Sequence, residues 1–155
     1  MKKYLFLLVL FPLISVGQIE KSLQLKIGVL KNLSEQGEKG EESFWQTKGK
    51  ITFAIVKYTD AQNPLFRDLF IKQYREILPV FLKMSTTQSE SASAQFVKII
   101  IRHEEDYRDL LTDQQLDLYR AKLSELETKD PKLSDSYSAF YFSDELLQLY
   151  KFKFK

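Results

Sequence analysis

Apolar residues recur at helical spacing along most of the chain. Ile19, Leu23, Ile27, Leu30 and Leu33 share one face of a helix over roughly 19–34, weakened at Gly28. Residues 34–43 are polar and contain Gly37 and Gly40, which reads as a loop or a frayed helix end. The next segment carries two periods at once. Ile51, Phe53 and Ile55 alternate with Thr52, Ala54 and Val56, a strand pattern over 51–58. Phe44 or Trp45, Lys48, Thr52, Ile55 or Val56 and Thr59 also fall at helical spacing, and a lone strand would lack a partner, so helix is the preferred reading. Asn63-Pro64 opens the next helix, with Asn as cap and Pro where its missing N–H costs nothing. Phe66, Leu69, Phe70, Tyr74, Ile77, Leu78 and Phe81 mark its apolar face, and Pro79 is expected to kink or divide it.

The pattern continues to the C-terminus. Phe96, Ile99, Ile100, His103, Tyr107, Leu110 and Leu111 share a face over 86–110, and Leu116, Tyr119, Leu123 and Leu126 share one over 112–127. Asp130-Pro131 breaks that helix. Residues 134–142 are aromatic-rich and compatible with a short helix, and Ser143 caps a last helix whose first turn carries Asp144 and Glu145, where acids suit the helix dipole. The expected fold class is all-α: antiparallel helical hairpins with short links and about five helices.

The first seventeen residues follow a different rule. Lys2 and Lys3 precede an apolar run from Leu5 to Ile14, interrupted at Pro12, and Ser15-Val16-Gly17 supplies a small-x-small exit. That order of parts reads as a secretory signal peptide over 1–17, and the apolar run is shorter than the ~20 residues that span a bilayer. A single helical domain over 18–155 is expected to be exported, to a periplasm or to the outside. Without Lys2 and Lys3 the 23 basic residues fall to 21, equal to the 21 acidic ones. A balanced chain lacks the positive field of a nucleic-acid binder. Cysteine is absent, which removes disulfides, thiol chemistry and thiolate metal sites.

One motif carries a mechanism. In Leu111-Thr112-Asp113-Gln114-Gln115-Leu116, the Thr112 side chain can accept from the N–H of Gln115 while Gln115 reaches back to the N–H of Thr112. This is a capping box, and Leu111 with Leu116 can form the hydrophobic staple beside it. Met84-Ser85-Thr86-Thr87-Gln88 reads as a degraded copy in which Ser85 caps and Gln88 reciprocates. Two copies of Leu-Thr-x-x-Gln bracketing a helix resemble the LTxxQ-motif periplasmic proteins, which include the Spy-type chaperones. Residues 111–115 match fully, 84–88 loosely, and the likeness covers 84–126. It implies an exported all-α protein, a curved homodimer and unfolded protein clients held without ATP. The chain departs from the family in its degraded first copy, in lacking a methionine or basic run suited to a client face, and in its neutral charge.

No catalytic constellation emerges. His103 is the only histidine; Glu104 and Glu105 beside it point in different directions on a helix, so a packed histidine with one satisfied nitrogen is the better reading. The serines at 85, 89, 91 and 93 suit capping and solvation, not a nucleophile turn. No cofactor or metal is assigned, and the expected partner is a protein. An alternative is a structural subunit of an envelope assembly that docks through the aromatic segment 137–154. The tail Lys151-Phe152-Lys153-Phe154-Lys155 reads as a helix end whose lysines suit the dipole, with too few charges for firm membrane contact.

Overall fold

A computed structural model describes the backbone of residues 2–154 and the side chains of residues 17–154. The segment read as a signal peptide therefore lies, but for Gly17, outside the described side chains. The described residues form seven helices and no strand: α1 (Lys2–Glu35), α2 (Lys39–Val56), α3 (Asn63–Thr87), α4 (Glu90–Asp109), α5 (Asp113–Lys129), α6 (Pro131–Ser138) and α7 (Asp144–Lys153). The count exceeds the five expected because the two ends of the 130–154 region each close their own turn. Asp130 accepts from the N–H of Leu133 at 3.1 Å with Pro131 in the first turn, and Ser143 accepts from the N–H of Leu146 at 3.2 Å.

Residues 51–56 are helical. In α2 the buried positions are Gly40, Phe44, Lys48, Thr52, Ile55 and Val56, a stripe of period 3.6, so the alternation that suggested a strand is incidental. The helix begins at Lys39, so the expected loop shrinks to Gln36–Glu38. It ends at Lys57, whose left-handed φ of 52° lets its N–H return to the Phe53 carbonyl. Helix α3 continues through Pro79 undivided. Its start is one of the misread details: Asn63 is not a side-chain cap, and the turn before it is closed by Thr59 and Gln62 instead.

The expected cap at 84–88 is also corrected. Ser85 lies in the last turn of α3, and Gln88 is the left-handed residue that ends that helix, its N–H bonded to the Met84 carbonyl. Helix α4 is capped by Ser89, which accepts from Ala92 at 3.2 Å. The segment held two helix-end signals within five residues, and the chain uses the later serine.

Helices α2, α3 and α4 pack as successive hairpins; α1 lies across α2, α3, α6 and α7, and α5 fills the space against α2 and α6. One continuous apolar cluster joins them, from Ile19 and Leu30 through Phe66, Phe70 and Phe96 to Tyr141 and Tyr150. Its centre is aromatic. The Tyr107 ring lies 4.8 Å from Tyr141, 5.3 Å from Tyr119 and 5.9 Å from Phe66, in the tilted and edge-on arrangements that aromatic pairs prefer.

Gly40 fixes how closely α1 and α2 approach. A Cβ there would stand far inside van der Waals contact of the Leu33 carbonyl oxygen and the Tyr74 hydroxyl. The carbonyl belongs to backbone and cannot swing aside. Gly40→Ala is expected to destabilise by about 1–3 kcal/mol, as overpacking does, although Ala is the better helix former. Gly28→Ala, where a Cβ would meet nothing, should be neutral or stabilising; urea denaturation of both variants checks the contrast.

Candidate functional site

The corner at Thr112 has the expected geometry. The Thr112 hydroxyl accepts from the Gln115 N–H at 3.2 Å, and Gln115 Oε1 accepts from the Thr112 N–H at 3.0 Å. Leu111 and Leu116 flank it, both packed against the core. The corner has a partner that sequence reading missed. Thr59-Asp60-Ala61-Gln62 repeats the Thr-Asp-x-Gln string of Thr112–Gln115. There the Thr59 N–H donates to Gln62 Oε1 at 3.0 Å, and the Gln62 N–H donates to the Thr59 hydroxyl at 3.3 Å.

The two corners are joined. Gln62 Nε2 donates to Gln115 Oε1, Gln115 Nε2 donates to Gln62 Oε1, each at 2.9 Å, and Gln62 Nε2 also reaches the Leu110 carbonyl at 3.2 Å. Each glutamine thus closes its own turn and clasps the other, so the α2–α3 link and the α4–α5 link are held as one unit. Thr112→Ala and Thr59→Ala are each expected to lose about 1 kcal/mol, the worth of a helix cap. Because the clasp couples the corners, the double variant should lose measurably less than the two single losses added. Additive losses in urea titrations would show that the corners act separately.

Beneath this corner the core is polar and charged. Glu104 is 2 % exposed; its Oε1 accepts from the Tyr119 hydroxyl at 2.6 Å and from Arg108 Nε at 2.8 Å. Arg108 continues to the Phe142 carbonyl at 3.0 Å and to Asp144. Burial works against its charge, but Glu104 and Asp144 outweigh that and hold the guanidinium protonated. Two lysines face the same interior. Lys26 Nζ donates to the carbonyls of Ser138 at 2.8 Å and Tyr141 at 3.3 Å and lies 4.1 Å from the centre of the Phe142 ring. Lys48 Nζ donates to Gln73 Oε1 at 2.7 Å and lies 5.0 Å from the centre of the Phe70 ring. Burial pushes the Lys26 ammonium down to about 7 and that of Lys48 to about 8, against the pull of Glu104.

His103 is buried beside them and turns to α3. Its Nε2–H donates to Glu76 Oε2 at 2.9 Å, the tautomer that a carboxylate acceptor requires. Burial lowers its pKa to about 4 despite that bond, so the ring is neutral near pH 7. This is the packed histidine with one satisfied nitrogen, and Glu104 and Glu105 do point elsewhere, Glu105 pairing with Lys151. Within the aromatic segment Tyr141, Phe142 and Tyr150 are core residues, whereas Phe152 is 80 % exposed.

Two concavities adjoin the charged interior. A cavity of about 50 Å³ is lined by Lys26, Lys48, His103 and Glu104 together with apolar side chains such as Phe44 and Ile77. An open groove of about 590 Å³ runs between α1, α2 and α6, with Leu25, Gly28, Val29, Leu33 and Phe140 among its walls. Val29, Ala139 and Phe140 line both. Among the described residues no helix is long and apolar enough to cross a membrane. Compared with models of protein families, with curated proteins and with solved structures, the chain matches none.

Proposed function

We propose that the protein is a small exported helical binding protein of the LTxxQ type, a holder of unfolded protein segments that works without ATP. The reading is carried by the joined pair of Thr-x-x-Gln corners. The resemblance rests on two copies of that motif, and here residues 59–62 and 112–115 close reciprocal caps that bracket the α3–α4 hairpin and clasp each other. The second copy is thus better matched by 58–62 than by 84–88, although Tyr58 stands where the motif has Leu.

The groove between α1 and α6 suits an extended apolar segment. Its floor carries Leu25, Val29 and Leu33, its rim Gln24, Asn32 and Asp135, the mixture of apolar wall and sparse polar groups that binding clefts use. Helix α6, which forms one wall of the groove, contributes no buried residue.

Gly28 supplies a test. A Cβ there meets open space, so Gly28→Glu places a charge in the groove without disturbing the packing. Residues 18–155 should slow the aggregation of a chemically unfolded client at near-equimolar ratio, and the Gly28→Glu protein should lose most of that protection while melting normally. Absence of protection by the parent protein at every ratio would end the proposal.

A further inference from the structure

The charge count of the interior does not close. Among the described residues, Lys26, Lys48 and Arg108 face one buried carboxylate, Glu104, whose Oε1 is already taken by Arg108 and Tyr119, while the half-exposed Asp144 pairs with Arg108 and not with the lysines. Lysines inside proteins are normally matched one for one or left out. Here Lys26 has two carbonyl partners and Lys48 has one amide partner, while an ammonium has three donors, so each retains a free donor. Both line the 50 Å³ cavity. By the same measure one water needs about 10–15 Å³, so the space is that of a molecule of a few heavy atoms. The rest of its lining is largely apolar, including Leu30, Phe44, Ile77, Ile100 and Phe142, with the Phe142 ring 4.1 Å from Lys26 Nζ and the Phe44 ring 5.5 Å from Lys48 Nζ. Ammonium donors set among apolar side chains are the complement of a short alkyl carboxylate.

We propose that this cavity is a binding site for a small monocarboxylate of two to four carbons, its oxygens taken by the free donors of Lys26 and Lys48 and its alkyl end lodged against Phe44 and Ile77. The ligand supplies the anion that the interior lacks, and the clustered rings favour a short apolar tail over a hydrated dianion such as phosphate. Val29, Ala139 and Phe140 separate the cavity from the groove, lining both. The two tests are separable, because Gly28 lines the groove and not the cavity, whereas Lys26 and Lys48 line the cavity and not the groove.

Binding to the charged lysines makes the affinity pH-dependent. The titratable groups lining the cavity are Lys26 on α1, Lys48 on α2, and His103 and Glu104 on α4; packed around these are Arg108 and Tyr119 on Glu104, Glu76 on His103, Tyr141 near Lys26 and Lys48, and Tyr107 against Tyr119 and Tyr141. His103 titrates near 4 and the tyrosines are raised by burial. The two lysines are therefore the groups that change between pH 6.5 and 9.

The experiment is calorimetric titration of residues 18–155 with acetate, propionate and butyrate against matched chloride, at pH 6.5 and pH 9. Saturable binding is expected at pH 6.5, weakened at least tenfold at pH 9. At pH 8 the apparent enthalpy should vary with the buffer, because binding draws protons onto the lysines. A Lys26→Met/Lys48→Met protein, whose folding is checked by its melting transition, should bind none. Equal binding of chloride would overturn the carboxylate assignment. Binding unchanged in the double variant, or no saturable binding at pH 6.5, would overturn the site and leave the cavity to ordered water.

Discussion

Glu104→Ala is expected to cost about 3–5 kcal/mol, the loss that follows when one partner of a buried ion pair is removed. The carboxylate does several jobs at one point. It takes the Arg108 guanidinium and the Tyr119 hydroxyl on the same oxygen, and it is the charge that holds the Lys26 and Lys48 ammonium groups against their burial. Without it, Arg108 retains Asp144 and the Phe142 carbonyl at the rim, but the lysines retain only neutral acceptors. Glu104→Gln separates charge from shape: its amide oxygen can still accept from Tyr119, so a loss close to that of Ala would assign the effect to the charge. In a Lys48→Met background the cost of Glu104→Ala should shrink, because one of the cations it compensates is gone. Urea titrations at pH 7 compare the parent with Glu104→Ala, Glu104→Gln, Lys48→Met and the Lys48→Met/Glu104→Ala double variant. A cost below about 1 kcal/mol would place Glu104 among hydrated surface pairs.

The sequence made the helices legible but not the interior they enclose. Phe66, Phe70, Tyr74, Ile77 and Phe81 read as a buried face, and they are one. On α1 the buried stripe is Ile19, Ser22, Lys26, Leu30 and Leu33; counting apolar residues instead selected Leu23 and Ile27, which are only partly buried. A lysine at a core position reads as solvent-facing, because burial of an ammonium is justified only by partners distant in sequence. Ser138 and Tyr141, more than a hundred residues away, are what make Lys26 an inward residue. The same holds for Glu104, which stands beside Glu105 and Asp106 and so reads as part of a solvated face.

The missed corner is a different kind of failure. Thr59-Asp60-Ala61-Gln62 was readable as a near copy of Thr112–Gln115, but Asn63-Pro64 just after it offered a familiar helix start. A side chain that bonds its own turn also competes with every other capping residue nearby. Local rules alone could not rank Thr59 over Asn63, or Ser89 over Ser85. The Gln62–Gln115 clasp, a contact between distant links, favours the first of these choices.

Stability should rise with pH across a range where most proteins are already past their optimum. The lysine pKa values in the fold, about 7 for Lys26 and about 8 for Lys48, lie below the ordinary 10.5 that the unfolded chain restores. Between those values the unfolded state binds more protons, so the free energy of unfolding increases with pH. The burial penalty is fully present below about pH 7 and relieved as pH climbs toward 10.5. His103 acts in the same direction at lower pH, since its value near 4 lies below the usual 6.5. The tyrosines set the upper limit. Tyr107, Tyr119 and Tyr141 are raised above 10 by burial, so the fold retains protons that the unfolded chain sheds, and stability falls above about pH 10. The maximum is therefore expected between about pH 9 and 10, instead of the usual ~5–8. Lys26→Met removes the larger lysine shift at little change in volume. It should stabilise the protein at pH 7 by about 1–4 kcal/mol, as apolar replacement of buried charge can, and flatten the rise between pH 7 and 10. Thermal or urea unfolding of both proteins across pH 5–11 gives the profile. A parent curve that is level or falling between pH 7 and 10 would mean that the two ammonium groups keep their water.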